Sequence, residues 1–176
     1  MKLFTSLGIG MIACLPFVFP LLINHKYNDA YNYIPYLVLG TVFNVAICLY
    51  SQVYLAKKLS KQVASTAILG AIINIVLNLV FIKQIGLYAA AISTAISYFV
   101  MMVYRHIDLK KYVNIKLSKG LVINSIIMFT FTIFMYYQKD LILNIISLTV
   151  AIAYALLINM KFLKGSWKTV LGKIKK

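Results

Sequence analysis

The stretch Gly70–Arg105, GAIINIVLNLVFIKQIGLYAAAISTAISYFVMMVYR, decides how this chain reads. Two apolar arms flank the short interruption Lys83-Gln84-Ile85-Gly86, a pattern that predicts a helical hairpin in a bilayer. In the first arm Ala67, Gly70, Ala71, Asn74 and Asn78 recur at helical spacing, with Ile72, Val76, Leu79 and Val80 opposite. In the second, Gly86, Ala90, Thr94 and Ser97 form a small-residue stripe opposite Ile92, Ile96, Phe99 and Val103. Small stripes let helix backbones approach closely in lipid. Each arm is expected to have one protein face and one lipid face.

Outward from the hairpin the same character continues. Of the 176 residues 62% are hydrophobic, and mean hydropathy is +0.90, far above the roughly half-apolar composition of soluble domains. Six uncharged apolar runs stand out: 3–23, 31–56, 62–82, 86–104, 120–138 and 141–160. The expected fold class is an all-α integral membrane protein, a six-helix transmembrane bundle over 1–160 followed by a basic tail, 161–176. The connections are too short to form a separate catalytic domain.

A net charge of +15 would suggest nucleic acid for a soluble protein, but here Lys and Arg sit between the apolar runs. The connections after the six runs carry one, three, one, five, one and six of them, Arg105 being counted with the fourth. By the positive-inside rule the rich connections and both termini are cytoplasmic, in a multi-pass protein of the cell inner (cytoplasmic) membrane. The partners expected are therefore lipids and not nucleic acid.

The first run, with Met11-Ile12-Ala13-Cys14, resembles a signal peptide, yet Leu15–Pro20 extends its apolar core where a cleaved signal would turn polar. Pro16 and Pro20 predict a kinked first helix. In the tail Leu163, Trp167, Val170, Leu171 and Ile174 share one helical face against Lys164, Lys168 and Lys175, the pattern of an interfacial helix.

Ile82–Thr94, preceded by Asn74 and Asn78, resembles the N-lilN…IP-x-x-G-i-x-GAA-iAT segment of Wzx-type polysaccharide flippases, members of the multidrug, oligosaccharidyl-lipid and polysaccharide exporter superfamily. Lys83 stands at the family's Pro and Ala89 at its second Gly. Asn24–Ala30 is similar to the family's outer turn f-G-x-x-Y-x-x-A, with Tyr27 and Ala30 in place and Asn24 at the Gly. Tyr50–Lys58 is similar to the helix end l-A-x-g-k. The resemblance covers residues 1 to about 119, and the last two runs match in hydropathy alone.

That resemblance implies one lobe of an exporter that moves an undecaprenyl-diphosphate-linked oligosaccharide to the outer leaflet by alternating access. A complementary N-terminal lobe is then an expected partner, and the chain a fragment or half of the transporter. Two other readings stand beside it: a membrane scaffold or accessory protein without transport, and half of a cation-coupled multidrug exporter.

Candidate residues follow from chemistry. Asn44 and Gln52 on the second run, with Asn74 and Asn78 on the third, are expected to line a substrate path, because several amides can hydrate a cavity and bind sugar hydroxyls without fixed charge. Lys57 and Lys58 are expected to capture a diphosphate headgroup at the cytoplasmic face. Each has a competing structural reading: interhelical hydrogen bonds for the amides and topology anchoring for the lysines. Intramembrane ionisable residues are expected to be absent. Cys14 and Cys48 read as small packing residues, His25 and His106 fall on opposite sides, and no cofactor, metal site or enzymatic activity is expected.

Overall fold

A computed structural model describes residues 2–22, 25–113 and 118–174, with side chains placed for 2–21, 29–113, 118 and 120–160. The six helices are α1 (Lys2–Leu22), α2 (Ile34–Ala56), α3 (Ser60–Ile85), α4 (Tyr88–Leu109), α5 (Lys119–Tyr137) and α6 (Leu141–Ile174). A short 3-10 segment, His25–Asn32, precedes α2. Among the described residues there is no strand. α1 continues through Pro16 and Pro20, and α6 continues through Gly165 to Ile174. The side chains on which the tail's interfacial reading depends, like those of Asn24 and Tyr27, lie outside the described ones.

Among the described residues five helices are long and apolar enough to cross a membrane: α1, α2, α3, α5 and the first twenty residues of α6. Large apolar side chains such as Leu21, Ile68, Leu79, Ile126 and Leu157 stand exposed along them. Outward-facing side chains of that kind need a lipid solvent, and the chain is a multi-pass helical membrane protein. α4 is not among the five, for a reason that lies in its packing.

The helices fall into two compact units, residues 19–118 and residues 1–18 with 119–176. In the first, α4 lies between α2 and α3. Its residues Ala89, Ser93, Ser97, Met101, Arg105 and Leu109, each four apart, form one continuous buried ridge, with Ala91 and Ala95 buried beside it. A helix covered on two sides by protein needs less apolar surface than one facing lipid, hence its many small and polar residues. The small stripe expected from sequence is displaced accordingly: Ser97 is buried and Thr94 half-buried, but Ala90 and Gly86 are exposed.

Two glycines lie where α4 approaches its neighbours. A Cβ on Gly40 of α2 would meet the Ala95 Cα of α4 at 3.4 Å, and one on Gly70 of α3 would meet the Met101 sulfur at 3.0 Å. α3 shows the expected two faces, with Thr66 and Gly70 buried and Ile72, Val76, Leu79 and Val80 exposed, although Ala67 and Ala71 also face outward. Its C-terminus is set by Gly86, whose φ of +55° is readily adopted without a Cβ.

α2 ends in a Schellman turn. The Leu59 amide reaches back to the Tyr54 carbonyl (2.9 Å), and the Lys58 amide to the Leu55 carbonyl (2.9 Å). Lys58 holds the left-handed position, at φ 60°, where glycine is usual. Leu59 then packs against the buried cluster formed by Tyr54, Tyr50, Ala46 and Leu109, the apolar contact that accompanies such a turn.

In the other unit Ile9, Ile12 and Ala13 of α1, Phe129 and Tyr136 of α5, and Ala151 of α6 are buried. Asn159 of α6 donates through Nδ2 to Ser6 Oγ of α1 (2.9 Å), and the Ser125 and Tyr154 hydroxyls lie 3.4 Å apart between α5 and α6. Asp140 caps α6 by accepting from the Ile142 amide (3.1 Å).

Candidate functional site

The polar chemistry of the 19–118 unit concentrates where α2 turns into α3 and α4 ends. Arg105, 2% exposed, sits on the α4 ridge. Its Nε donates to Thr66 Oγ1 (2.9 Å) and its Nη2 to the Val63 carbonyl (3.1 Å), both on α3. Its Nη1 donates to the Ile47 carbonyl (3.1 Å) and to Ser51 Oγ, both on α2. One guanidinium thus ties α4 to both neighbours, a use of its planar fork that a lysine could not reproduce.

This overturns one expectation: Arg105 does not belong to the connection after the fourth run, since α4 continues to Leu109 and the side chain is buried. Among the described residues no carboxylate pairs with it. Its charge is held by neutral hydroxyls and main-chain carbonyls, the arrangement that makes a buried cation tolerable. A sequence signal existed. Continuing the small ridge from Ser97 by fours passes through Met101 and lands on Arg105.

One turn on, Asp108 accepts from the Tyr54 hydroxyl (2.8 Å) and from Lys111 Nζ (3.0 Å). The Lys111 ammonium, then the Tyr54 hydroxyl, hold the Asp108 carboxyl below the usual carboxylate range. Beside them the Tyr50 hydroxyl lies 3.1 Å from His106 Nδ1. Residues 105, 106 and 108 of α4 therefore each fasten to the last turns of α2.

The candidate amides separate. Asn74 Nδ2 donates to Thr94 Oγ1 (3.2 Å) and Ser97 Oγ (3.3 Å), so its amide bridges α3 to α4. Asn78, one turn later, has a buried Oδ1 with no partner among the described residues. Asn44 is half-buried, its Oδ1 4.0 Å from Cys48 Sγ, and Gln52 is exposed. Among the described residues no hydrogen bond joins any two of the four. Lys57 and Lys58 are both exposed in the α2–α3 turn. Cys14 and Cys48 are exposed and not packed inside, since a thiol is apolar enough for an outward face.

Among the described residues no three His, Cys, Asp or Glu side chains gather closely enough to hold a metal ion. The arrangement offers hydrogen bonding and positive charge. No known family model, curated protein or solved structure matches this chain.

Proposed function

We propose that this chain forms one lobe of a flippase for an undecaprenyl-diphosphate-linked oligosaccharide in the cell inner membrane, working by alternating access with a complementary lobe. Support comes from the resemblance carried by Asn74, Asn78 and Ile82–Thr94 and from the helical hairpin those residues form. The observation that carries the reading is the difference between the two asparagines. Asn74 is consumed in joining α3 to α4, whereas Asn78 keeps a buried, unpaired amide oxygen. Such a group costs about 1–3 kcal/mol when left unpaired, and a sugar hydroxyl would satisfy it.

In this mechanism the exposed lysines 57 and 58 attract the diphosphate, and Asn78, with Asn44 on α2, offers hydrogen bonds to sugar hydroxyls. Asn74 and Arg105 hold the helices that carry them.

Complementation of a flippase-deficient strain by the chain with its complementary lobe tests the assignment. Asn78→Leu should abolish transport at unchanged membrane abundance, and Lys57→Gln with Lys58→Gln should reduce it. Full transport in both variants would remove the proposed path and leave the scaffold reading. Loss of abundance in step with activity would assign Asn78 to packing.

A further inference from the structure

The structure assigns to the α2–α3 turn and the end of α4 a binding surface for the headgroups of anionic phospholipids. Lys57, Lys58, Lys61, Lys110 and Lys111 are all exposed there. They belong to one surface, because Leu59 and Leu109 pack in the same cluster and Lys111 shares Asp108 with Tyr54. Beneath them lies the Arg105 guanidinium, paired with no carboxylate among the described residues.

The chain contains three acidic residues, and at this surface there is one, Asp108, already taken by Tyr54 and Lys111. Helix dipoles explain some of the lysines, since Lys57 and Lys110 follow the C-termini of α2 and α4. They do not explain Lys61, in the first turn of α3, where the dipole disfavours a cation and no acidic residue compensates. A fixed excess of cations next to one another is stabilised by an external anion.

Depth identifies that anion. The last large exposed apolar residues before the surface are Leu55 on α2 and Ile107 on α4, and α3 turns apolar outward at Ile68. At a rise of about 1.5 Å per residue, Lys57 lies ~3 Å and Lys110 ~4.5 Å beyond those residues, which is where acyl chains give way to phosphates. Lysines at that depth meet lipid phosphate without leaving the bilayer surface. The assignment shares Lys57 and Lys58 with the transport reading but does not rest on it, and the lipid-retention readout is separate from transport.

Native mass spectrometry of the full chain, released from micelles with equal phosphatidylglycerol and phosphatidylcholine, tests it. Phosphatidylglycerol should be retained in several-fold excess. The triple variant Lys57→Gln, Lys61→Gln, Lys110→Gln should bring the two lipids to parity, while the corresponding triple Arg variant keeps the excess. Lys58 and Lys111 are left alone because of the turn geometry and the Asp108 pair. Equal retention of both lipids by the unaltered chain would overturn the proposal. So would an excess that survives in the Gln variant, which would place the lipid elsewhere.

Discussion

Arg105 Nη1 donates to the carbonyl of Ile47, 3.1 Å away on α2, while the same guanidinium reaches Val63 and Thr66 of α3. Each charge-assisted bond of this kind contributes about 1.5–3 kcal/mol when both groups are buried. Arg105→Ala loses these bonds but also relieves the cost of burying a charge, so it should destabilise the chain by about 2–4 kcal/mol net, and Arg105→Lys should recover only part, because one ammonium cannot span both helices. Thermal unfolding of the detergent-solubilised chain measures this, and equal melting temperatures for wild type and Arg105→Ala would refute the tie.

The Gly40 contact with α4 predicts a sharp size limit. One methyl group meets the Ala95 backbone at 3.4 Å, ordinary van der Waals contact, and alanine favours a helix by up to about 1 kcal/mol over glycine. Gly40→Ala should be neutral or stabilising. Gly40→Leu should lose about 1–3 kcal/mol, since the obstacle is backbone and cannot move aside as a side chain would. A leucine variant as stable as wild type would show that α2 and α4 are not in close contact there.

Lys58 pays for its position. An L-residue at φ 60° is strained by roughly 1–2 kcal/mol relative to glycine, and the turn's hydrogen bonds are main-chain ones that any residue supports. Lys58→Gly should raise stability by up to about 1 kcal/mol, part of the relief being offset by the freer unfolded chain. Coupled with a transport assay, the same variant separates charge from backbone: unimpaired transport would exclude Lys58 from headgroup capture.

Asp108 gives the chain a dependence on acid. Its pKa is lowered in the folded state by Lys111 and Tyr54, so its contribution is present above the unfolded carboxylate range and disappears as pH falls through the folded value. Wild type should melt above Asp108→Asn at pH 6, with the gap closing below about pH 4. The effect is small because Lys111 is 70% exposed and the pair is screened. A gap that stays constant down to pH 3 would mean that the carboxylate charge contributes nothing.

Apolar run length and the small-residue spacing made the hairpin and most helix positions legible in the sequence. What hid was the middle helix. Reading each arm as two-faced assumes one protein neighbour, but α4 has two, so its buried arc widened and shifted from Ala90 and Thr94 toward Ser93 and Arg105, with Ser97 common to both. A charge at the end of an apolar run also looks like the start of a connection, which placed Arg105 one helical turn too far out. For the candidate site, composition found the asparagines. It could not tell Asn74 from Asn78, because that difference depends on the positions of Thr94 and Ser97 on a neighbouring helix.

Unpaired groups in the other unit give the final prediction. Thr5, Ser6, Ser125 and Thr132 are buried, and each donates to a carbonyl three or four residues earlier in its own helix. Ser147 of α6, 3% exposed, does not, and its Oγ has no partner among the described residues. The Oδ1 of Asn144, one turn before it and 7% exposed, is likewise unpaired. Removing an unsatisfied buried hydroxyl recovers its desolvation penalty and leaves only a small cavity, so Ser147→Ala should stabilise the chain by about 1 kcal/mol. Asn144→Leu should also stabilise, provided the larger apolar side chain packs without strain. For comparison, Thr132→Ala, which removes a satisfied hydroxyl and a methyl group, should destabilise by a similar amount. Melting temperatures of the three variants decide the matter. If Ser147→Ala and Thr132→Ala fall together, Ser147 is bonded in solution and its hydroxyl contributes to the packing of α6.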